Sequence, residues 1–161
     1  GRESGSGSTG KTQTYDGSTF TEVSDMGTAR RYLLGSGTQT STLAYGGYTT
    51  TNTANVESWD GTNWTAASDL NQARTEQKGT GKSATAALAI AGNPSSPSFK
   101  TETWNGSSWT EVSNISQQRG TIYNFMGHSS SANMAGGYSG TARVANNEHW
   151  NGSSWTEIND P

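Results

Sequence analysis

The chain contains no cysteine and has few charged and few apolar residues. Without cysteine, disulfide bonds, thiolate metal sites and thiol catalysis are excluded. Charged residues make up 14% and hydrophobic residues 29% of the 161 residues, and the formal net charge is -3. No apolar run approaches the roughly 20 residues of a membrane-spanning helix, and no basic cluster occurs. We therefore expect no membrane insertion and no nucleic-acid partner.

Low hydrophobicity is typical of disordered chains, but disordered chains usually combine it with high net charge and few aromatic residues. Here the net charge is small, aromatic residues make up 9% of the chain, and 21 residues are glycine. The aromatic residues also recur at regular intervals. This composition predicts an ordered all-β chain of short strands and many tight turns.

The aromatic residues belong to four copies of one six-residue phrase. Trp-Asn-Gly-Ser-Ser-Trp occupies 104–109 and 150–155, and related phrases occupy 59–64 and 15–20. The first aromatic of each copy lies at position 15, 59, 104 or 150, so the period is close to 45 residues. Because Asn-Gly and Asp-Gly favour tight hairpins, each phrase predicts two strands with their aromatic residues opposite each other.

Other residues keep the same period and define a structural framework. A glutamate lies two residues before the first tryptophan of three copies, and an arginine recurs before each of these units. Two interpretations are open: a repeated Glu–Arg or Arg–backbone contact between neighbouring units, or a ring of charge presented to a ligand. The framework residues are Trp59, Trp64, Trp104, Trp109, Trp150, Trp155, Arg30, Arg74, Arg119, Glu57, Glu102 and Glu148.

Periods of 20 to 50 residues indicate solenoids, propellers or arrays. Each unit reads as four strands joined as a meander, which is one propeller blade. We expect an N-terminal half-blade with a Gly/Ser-rich lead at 1–25, and blades at 26–70, 71–115 and 116–161. Since closed propellers have about four to eight blades, three and a half blades are incomplete or are completed by other chains. Because the chain begins at Gly1 rather than methionine, we also expect a processed or partial polypeptide.

One unit carries a family resemblance most clearly. Leu-Ala-Tyr-Gly-Gly at 43–47, Glu-Ser-Trp-Asp-Gly-Thr-Asn-Trp at 57–64 and then Arg74 resemble the kelch repeat. This resemblance covers nearly the whole chain and implies four-stranded blades around a central channel, with a binding role. The repeated Asn-Gly-Ser-Ser phrase also resembles kelch-like repeats in virion proteins of marine bacteriophages. The expected fold is therefore a kelch-like β-propeller segment of about three and a half blades.

The sequence predicts no catalytic residue, cofactor or metal site. Residues 5–12 fit the spelling of a P-loop, but the strand and helix that this phosphate-binding motif requires do not flank them. The two histidines, His128 and His149, have no partner at metal-ligand spacing. We therefore expect a non-enzymatic protein.

The loops that follow the glycine pairs occupy the same position in each repeat, but their sequences differ between units. Loops of one slot gather on one rim of a propeller, where they can bind a ligand. The candidate ligand-binding residues are Tyr48, Asn52, Asn93, Phe99, Tyr138 and Arg143.

We expect a structural or adhesive module on a virion or other extracellular surface, such as a phage tail-fibre or appendage domain. Its partners would be other protein chains, through self-association or a larger assembly, or a host surface glycan or protein. Two alternatives remain open. One is an intracellular kelch-type protein-interaction scaffold, and the other is a fragment of a propeller enzyme whose catalytic residues lie outside this chain.

Overall fold

The computed structural model describes residues 7–93 and 96–158. Within these residues the chain forms β-strands and no helix. In chain order the strands are β1 (Thr12–Tyr15), β2 (Phe20–Val23), β3 (Leu34–Thr38), β4 (Ser41–Tyr45), β5 (Val56–Trp59), β6 (Trp64–Ala67), β7 (Lys78–Ser83), β8 (Ala86–Ile90), β9 (Thr101–Trp104), β10 (Trp109–Glu111), β11 (Asn124–His128), β12 (Ser131–Tyr138), β13 (Arg143–Trp150) and β14 (Trp155–Ile158).

These strands form four antiparallel sheets, each a meander in chain order. Sheet I contains β1 and β2, sheet II contains β3 to β6, sheet III contains β7 to β10, and sheet IV contains β11 to β14. The prediction of an all-β chain is confirmed. Sheets II, III and IV fall within 26–70, 71–115 and 116–161.

The P-loop spelling overlaps β1, which starts at Thr12, and its residues 5 and 6 lie outside the described residues. Within the described parts of the chain, no helix is long and apolar enough to cross a bilayer.

Each aromatic phrase closes a hairpin through the side chain of its second residue. The Asn105 Oδ1 accepts hydrogen bonds from the main-chain N–H groups of Ser107 and Ser108, at 2.9 and 3.0 Å. Gly106 follows with a φ of 100°, a left-handed conformation that suits glycine. The same bonds recur in the other three phrases, where Oδ1 of Asp16, Asp60 or Asn151 accepts them. These turns place the flanking aromatic residues opposite each other.

The two tryptophans of a phrase are direct cross-strand partners in sheets II, III and IV. Their ring centroids lie 5.4 Å apart in sheets II and IV and 5.5 Å apart in sheet III. Tyr15 and Phe20 form the equivalent pair in sheet I, with centroids 4.7 Å apart. A ring pair of this kind contributes about 0.5–1.5 kcal/mol beyond its buried area. In sheets so poor in large aliphatic residues, the rings provide much of the core.

Sheets II, III and IV adjoin one another along their first strands, which form a shared inner edge. The first strands β3 and β7 lie side by side, as do β7 and β11. At one end of the sheets, which we call the glycine-corner end, the second strands of sheets II, III and IV reach their glycine corners and the linker from the previous sheet enters. The opposite end, the short-turn end, carries the four hairpin turns and the turns between first and second strands. The six candidate ligand-binding residues all lie at the glycine-corner end.

The hydrophobic core lies between successive sheets. One cluster, which includes Leu43, Tyr45 and Ala89, fills the space between sheets II and III. A second cluster, which includes Leu88 and Trp150, fills the space between sheets III and IV. Strand β8 serves both clusters, because alternate residues of a strand point to opposite faces. Its burial on both faces explains why 87–91 is the most apolar run of the chain.

The far face of sheet IV differs at one position from the equivalent faces of sheets II and III. Cross-strand register aligns Asn133 with Leu43 and Leu88, because each pairs with the residue before the first tryptophan of its sheet. Leu43 and Leu88 are fully buried, whereas Asn133 is exposed and contacts His149 Nδ1 through its Oδ1 at 2.8 Å. The same face also carries Met126, the cross-strand partner of Asn133, and Ile158, which are 66% and 43% exposed. The far face of sheet IV is therefore a mixed polar and apolar surface.

A hydrogen bond from the second tryptophan of a sheet links two pairs of sheets. Trp64 Nε1 donates to Thr12 Oγ1 of sheet I at 2.9 Å, and Trp155 Nε1 donates to Thr101 Oγ1 of sheet III at 3.0 Å. In the middle pair, Val56 occupies the threonine position. The buried Trp109 Nε1 has no hydrogen-bond partner, although Val56 and Trp109 belong to the same core cluster.

We predict that Val56→Thr stabilises the protein, because threonine matches valine in shape and supplies the missing acceptor for Trp109. A satisfied buried hydrogen bond contributes about 1 kcal/mol. The reciprocal change Thr101→Val should destabilise by about 1–3 kcal/mol, since it leaves Trp155 Nε1 unpaired. Urea unfolding of both variants measures the two effects. Equal shifts of the same sign in both variants would refute this assignment.

The turn aspartates make two of the hairpins sensitive to pH. Hydrogen bonds from the main chain of Asn63 and Thr62 lower the pKa of Asp60. Because folding lowers this pKa, the carboxylate stabilises the fold above its unfolded value of about 4. The contribution is lost as the pH falls below that value and through the folded pKa. Bonds from Thr19 and Ser18 lower the pKa of Asp16 in the same way.

Asp60→Asn should remove this dependence, because asparagine keeps the acceptor oxygen without a titrating proton. Asn105 already serves this role in the equivalent turn of sheet III. As the pH is lowered from about 5 to about 2, we expect the stability of the variant to rise relative to that of the native chain. Urea unfolding of both proteins across this range provides the measurement. A stability difference that is constant with pH would contradict the prediction.

Candidate functional site

Three buried arginines hold the sheets together at the glycine-corner end. The main chain of each of the last two binds the preceding sheet. Arg74 donates its N–H to Thr53 O at 3.3 Å, and its carbonyl accepts from Gly47 N at 2.8 Å. Arg119 makes the equivalent contacts with Ser98 O at 2.9 Å and Gly92 N at 3.2 Å. The main chain of Arg30 forms a bridge with Thr9, ahead of sheet I.

The arginine side chains bind the sheet that follows. Arg74 Nη2 lies 2.6 Å from Glu102 Oε1, and Arg74 Nη1 donates to the carbonyls of Ala91 and Lys100, both at 3.1 Å. Arg30 and Arg119 lie 2.6 and 3.0 Å from their own glutamates, Glu57 and Glu148. Each ion pair therefore lies within one unit, while the arginine main chain provides the contact between neighbouring units.

Each glutamate also closes the start of its own unit. Glu102 Oε2 accepts from Asn71 N at 2.7 Å, Glu57 Oε2 accepts from Gly27 N at 2.6 Å, and Glu148 Oε2 accepts from Ser116 N at 2.8 Å. The carboxylate thus joins its third strand to both the arginine side chain and the linker backbone.

The ion pairs are buried and cannot present charge to a ligand. All three arginines are 0% exposed, and Glu57, Glu102 and Glu148 are 5%, 0% and 1% exposed. Burial lowers the pKa of Arg74 and of Arg119, and the carboxylate partners oppose this shift. Two charges in this environment are stable only while they remain paired. The arginine–glutamate pairs therefore organise the glycine-corner end and do not form a binding site.

The candidate loops lie next to one another along this end. Asn52 Nδ2 donates to Asn93 Oδ1 at 2.9 Å, which joins the loop of sheet II to the loop of sheet III. A Cβ atom placed on Gly140 would lie 2.7 Å from Pro97 Cγ. The loop of sheet III thus packs closely against the loop of sheet IV. Part of the sheet III loop, residues 94 and 95, lies outside the described residues.

Asn93 is buried, in contrast to its expected role in ligand binding. It is 7% exposed, and its Oδ1 also accepts from Thr75 N at 3.1 Å while its Nδ2 donates to Ala73 O at 3.3 Å. Its φ of 59° places the backbone in the left-handed region, which asparagine tolerates better than most residues. Asn93 therefore anchors its loop to the linker.

The other candidate residues present larger surfaces. Phe99 is 46% and Tyr138 is 37% exposed. Tyr138 pairs with Arg143 across a four-residue turn, so the sheet IV loop is an ordered extension of β12 and β13. Tyr48 is half-buried, and the guanidinium of Arg31 lies 4.7 Å from its ring centroid, within cation–π distance.

Sequence reasoning missed a second feature of this end, a cleft between the three linkers. We call it the linker cleft, and it has a volume of about 420 Å³. Equivalent positions of three successive units line it, two to four residues after each framework arginine. Their place after the repeated arginine was the available sequence signal. The lining residues are Tyr32, Leu33, Leu34, Glu76, Gln77, Lys78 and Thr121.

The glycine-corner end combines several kinds of exposed side chain. In residues 7–93 and 96–158, no three His, Asp or Glu side chains are grouped so that they could hold a metal ion. The exposed groups are aromatic rings, amides, hydroxyls and single charges. No protein-family model matches the chain, and no curated protein matches its sequence.

We predict that Arg74→Ala destabilises the protein by about 3–5 kcal/mol, because it leaves the Glu102 carboxylate buried without its partner. Lys100→Ala provides a matched control in the same sheet. Lys100 Nζ lies 2.8 Å from Glu111, but both side chains are well exposed, so its loss should change stability by only about 0–1 kcal/mol. Thermal and urea unfolding compare the two variants. Similar losses in both would contradict the structural role of the buried pair.

Proposed function

We propose that this chain is a segment of a kelch-like β-propeller and that it acts as a non-enzymatic binding module. Three features support the propeller assignment. The sheets are four-stranded meanders, their first strands lie side by side, and each linker passes between the glycine corners of successive sheets. These are the properties of blades arranged around an axis.

A group of exposed aromatic side chains at the glycine-corner end supports the binding role most directly. Most large apolar residues of the chain are buried between sheets, yet four aromatic residues at this end are 37–55% exposed. Aromatic rings with neighbouring hydroxyl and amide groups bind ligands that are partly apolar and partly polar. The four residues are Tyr32, Phe99, Tyr123 and Tyr138.

The proposed partner is a component of a host cell surface, with a glycan as the leading candidate. We place the module on a virion or other extracellular surface because its Asn-Gly-Ser-Ser repeats resemble those of marine bacteriophage virion proteins. We also propose association with another protein chain at strand β1. Within the described residues β1 pairs only with β2, and Tyr15 is 46% exposed where the equivalent Trp59 is 3% exposed. An unpaired strand edge of this kind favours added strands.

Binding to a glycan array and to a panel of bacterial cells tests the proposed function. We expect the double variant Phe99→Ala/Tyr138→Ala to lose at least about tenfold in affinity, since exposed aromatic residues dominate such contacts. Met126→Ala is the control, because Met126 is exposed but belongs neither to the aromatic group nor to strand β1. A native chain that binds neither glycans nor cells, and remains a single chain by native mass, would overturn the proposal.

A further inference from the structure

The linker cleft has the size of a small-molecule site. Its volume of about 420 Å³ lies within the 300–1,000 Å³ that is typical of ligand pockets. The buried Gln77 helps to form its wall, and Gln77 is held in place by a hydrogen bond from its Nε2 to Tyr45 O at 2.9 Å. The cleft is therefore supported by the core between sheets II and III.

An uncommon backbone conformation shapes two sides of the cleft. Tyr32 and Glu76 have φ angles of 57° and 53°, in the left-handed region that non-glycine residues seldom adopt. Both residues stand two positions after a buried arginine, whose contacts hold the linker. Such strained conformations persist only where the surrounding structure enforces them, and they are concentrated at ligand-binding positions.

The lining combines one aromatic ring with groups that bind hydroxyls. Tyr32, Leu33 and Leu34 provide an apolar side. The Glu76 carboxylate accepts hydrogen bonds, the Lys78 ammonium donates them, and the Thr121 hydroxyl does both. One negative and one positive group leave the lining without net charge. An uncharged ring that has an apolar C–H face and several hydroxyls matches this set.

Comparison of the three units shows which positions differ. The framework position carries arginine in all three units, and each arginine is fully buried. Two residues later the units carry Tyr32, Glu76 and Thr121, three residues of different chemistry that line one cleft. Repeat proteins keep the residues that build the stack and vary those of the binding face.

We propose that the linker cleft binds an uncharged hexose-type sugar, such as the terminal residue of a glycan. This inference rests on the proposed binding function and assigns it a specific site. Tyr32 stacks against the sugar ring, and Glu76, Lys78 and Thr121 bind its hydroxyls. The exposed rim residues Phe99 and Tyr138 contact only longer oligosaccharides.

Saturation-transfer NMR with methyl glycosides of neutral and N-acetylated hexoses tests this site with the full chain. The cleft variants are Tyr32→Asn, which removes the ring but tolerates a left-handed backbone, Glu76→Gln and Thr121→Val. We expect Tyr32→Asn to abolish the signal and the other two to weaken binding about three- to tenfold. Met126→Ala, at an exposed residue outside the cleft lining, should leave monosaccharide binding unchanged. Thermal unfolding shows whether each variant is folded. If Tyr32→Asn is unfolded, Glu76→Gln and Thr121→Val still test the cleft.

The outcomes separate the site from the function. If the native chain binds glycans or cells but the cleft variants bind equally well, the cleft assignment is wrong and the binding function stands. The same conclusion follows if the native chain binds cells but no sugar. If the native chain binds no sugar, no glycan on the array and no cell, both proposals are overturned.

Discussion

The contact between a buried arginine and its glutamate is the interaction on which the rest of this structure depends. Arg74 and Arg119 each use the main chain to bind the glycine corner of one sheet and the side chain to bind the third strand of the next. Two charges without solvent are stable only when paired and fully hydrogen-bonded. The relative position of successive sheets is therefore set by a small number of polar contacts at one end of the stack.

That constraint matters because the apolar core is thin. Sheets II and III, and likewise sheets III and IV, share a few aliphatic residues and one pair of indole rings. Packing alone therefore does little to fix the relative orientation of these sheets. The polar contacts fix the relative orientation at the glycine-corner end. The indole N–H bonds from Trp64 and Trp155 fix it farther from the inner edge. The unpaired Trp109 Nε1 shows where one repeat departs from this scheme.

The same arrangement brings the exposed aromatic residues and the linker cleft to one end. A linker that is fixed at its arginine enters the next sheet in a defined direction, so the following two or three side chains line a shared space. Because these side chains lie outside the ion pairs, they can differ between units without loss of the stack. This separation of framework and surface supports a binding function at the glycine-corner end.

The amino-acid sequence by itself determined the repeat, the strand order and the turns, because these depend on local chemistry and spacing. Asx-Gly phrases close hairpins, and a 45-residue recurrence identifies equivalent aromatic, arginine and glutamate positions. Only the tertiary structure decided which residues are accessible. Asn93 reads as a loop residue but is buried by contacts from two neighbouring segments, and Asn133 is exposed where the equivalent Leu43 and Leu88 are buried. The linker cleft depends on three segments about 45 residues apart and on left-handed backbone at Tyr32 and Glu76, which no local pattern encodes.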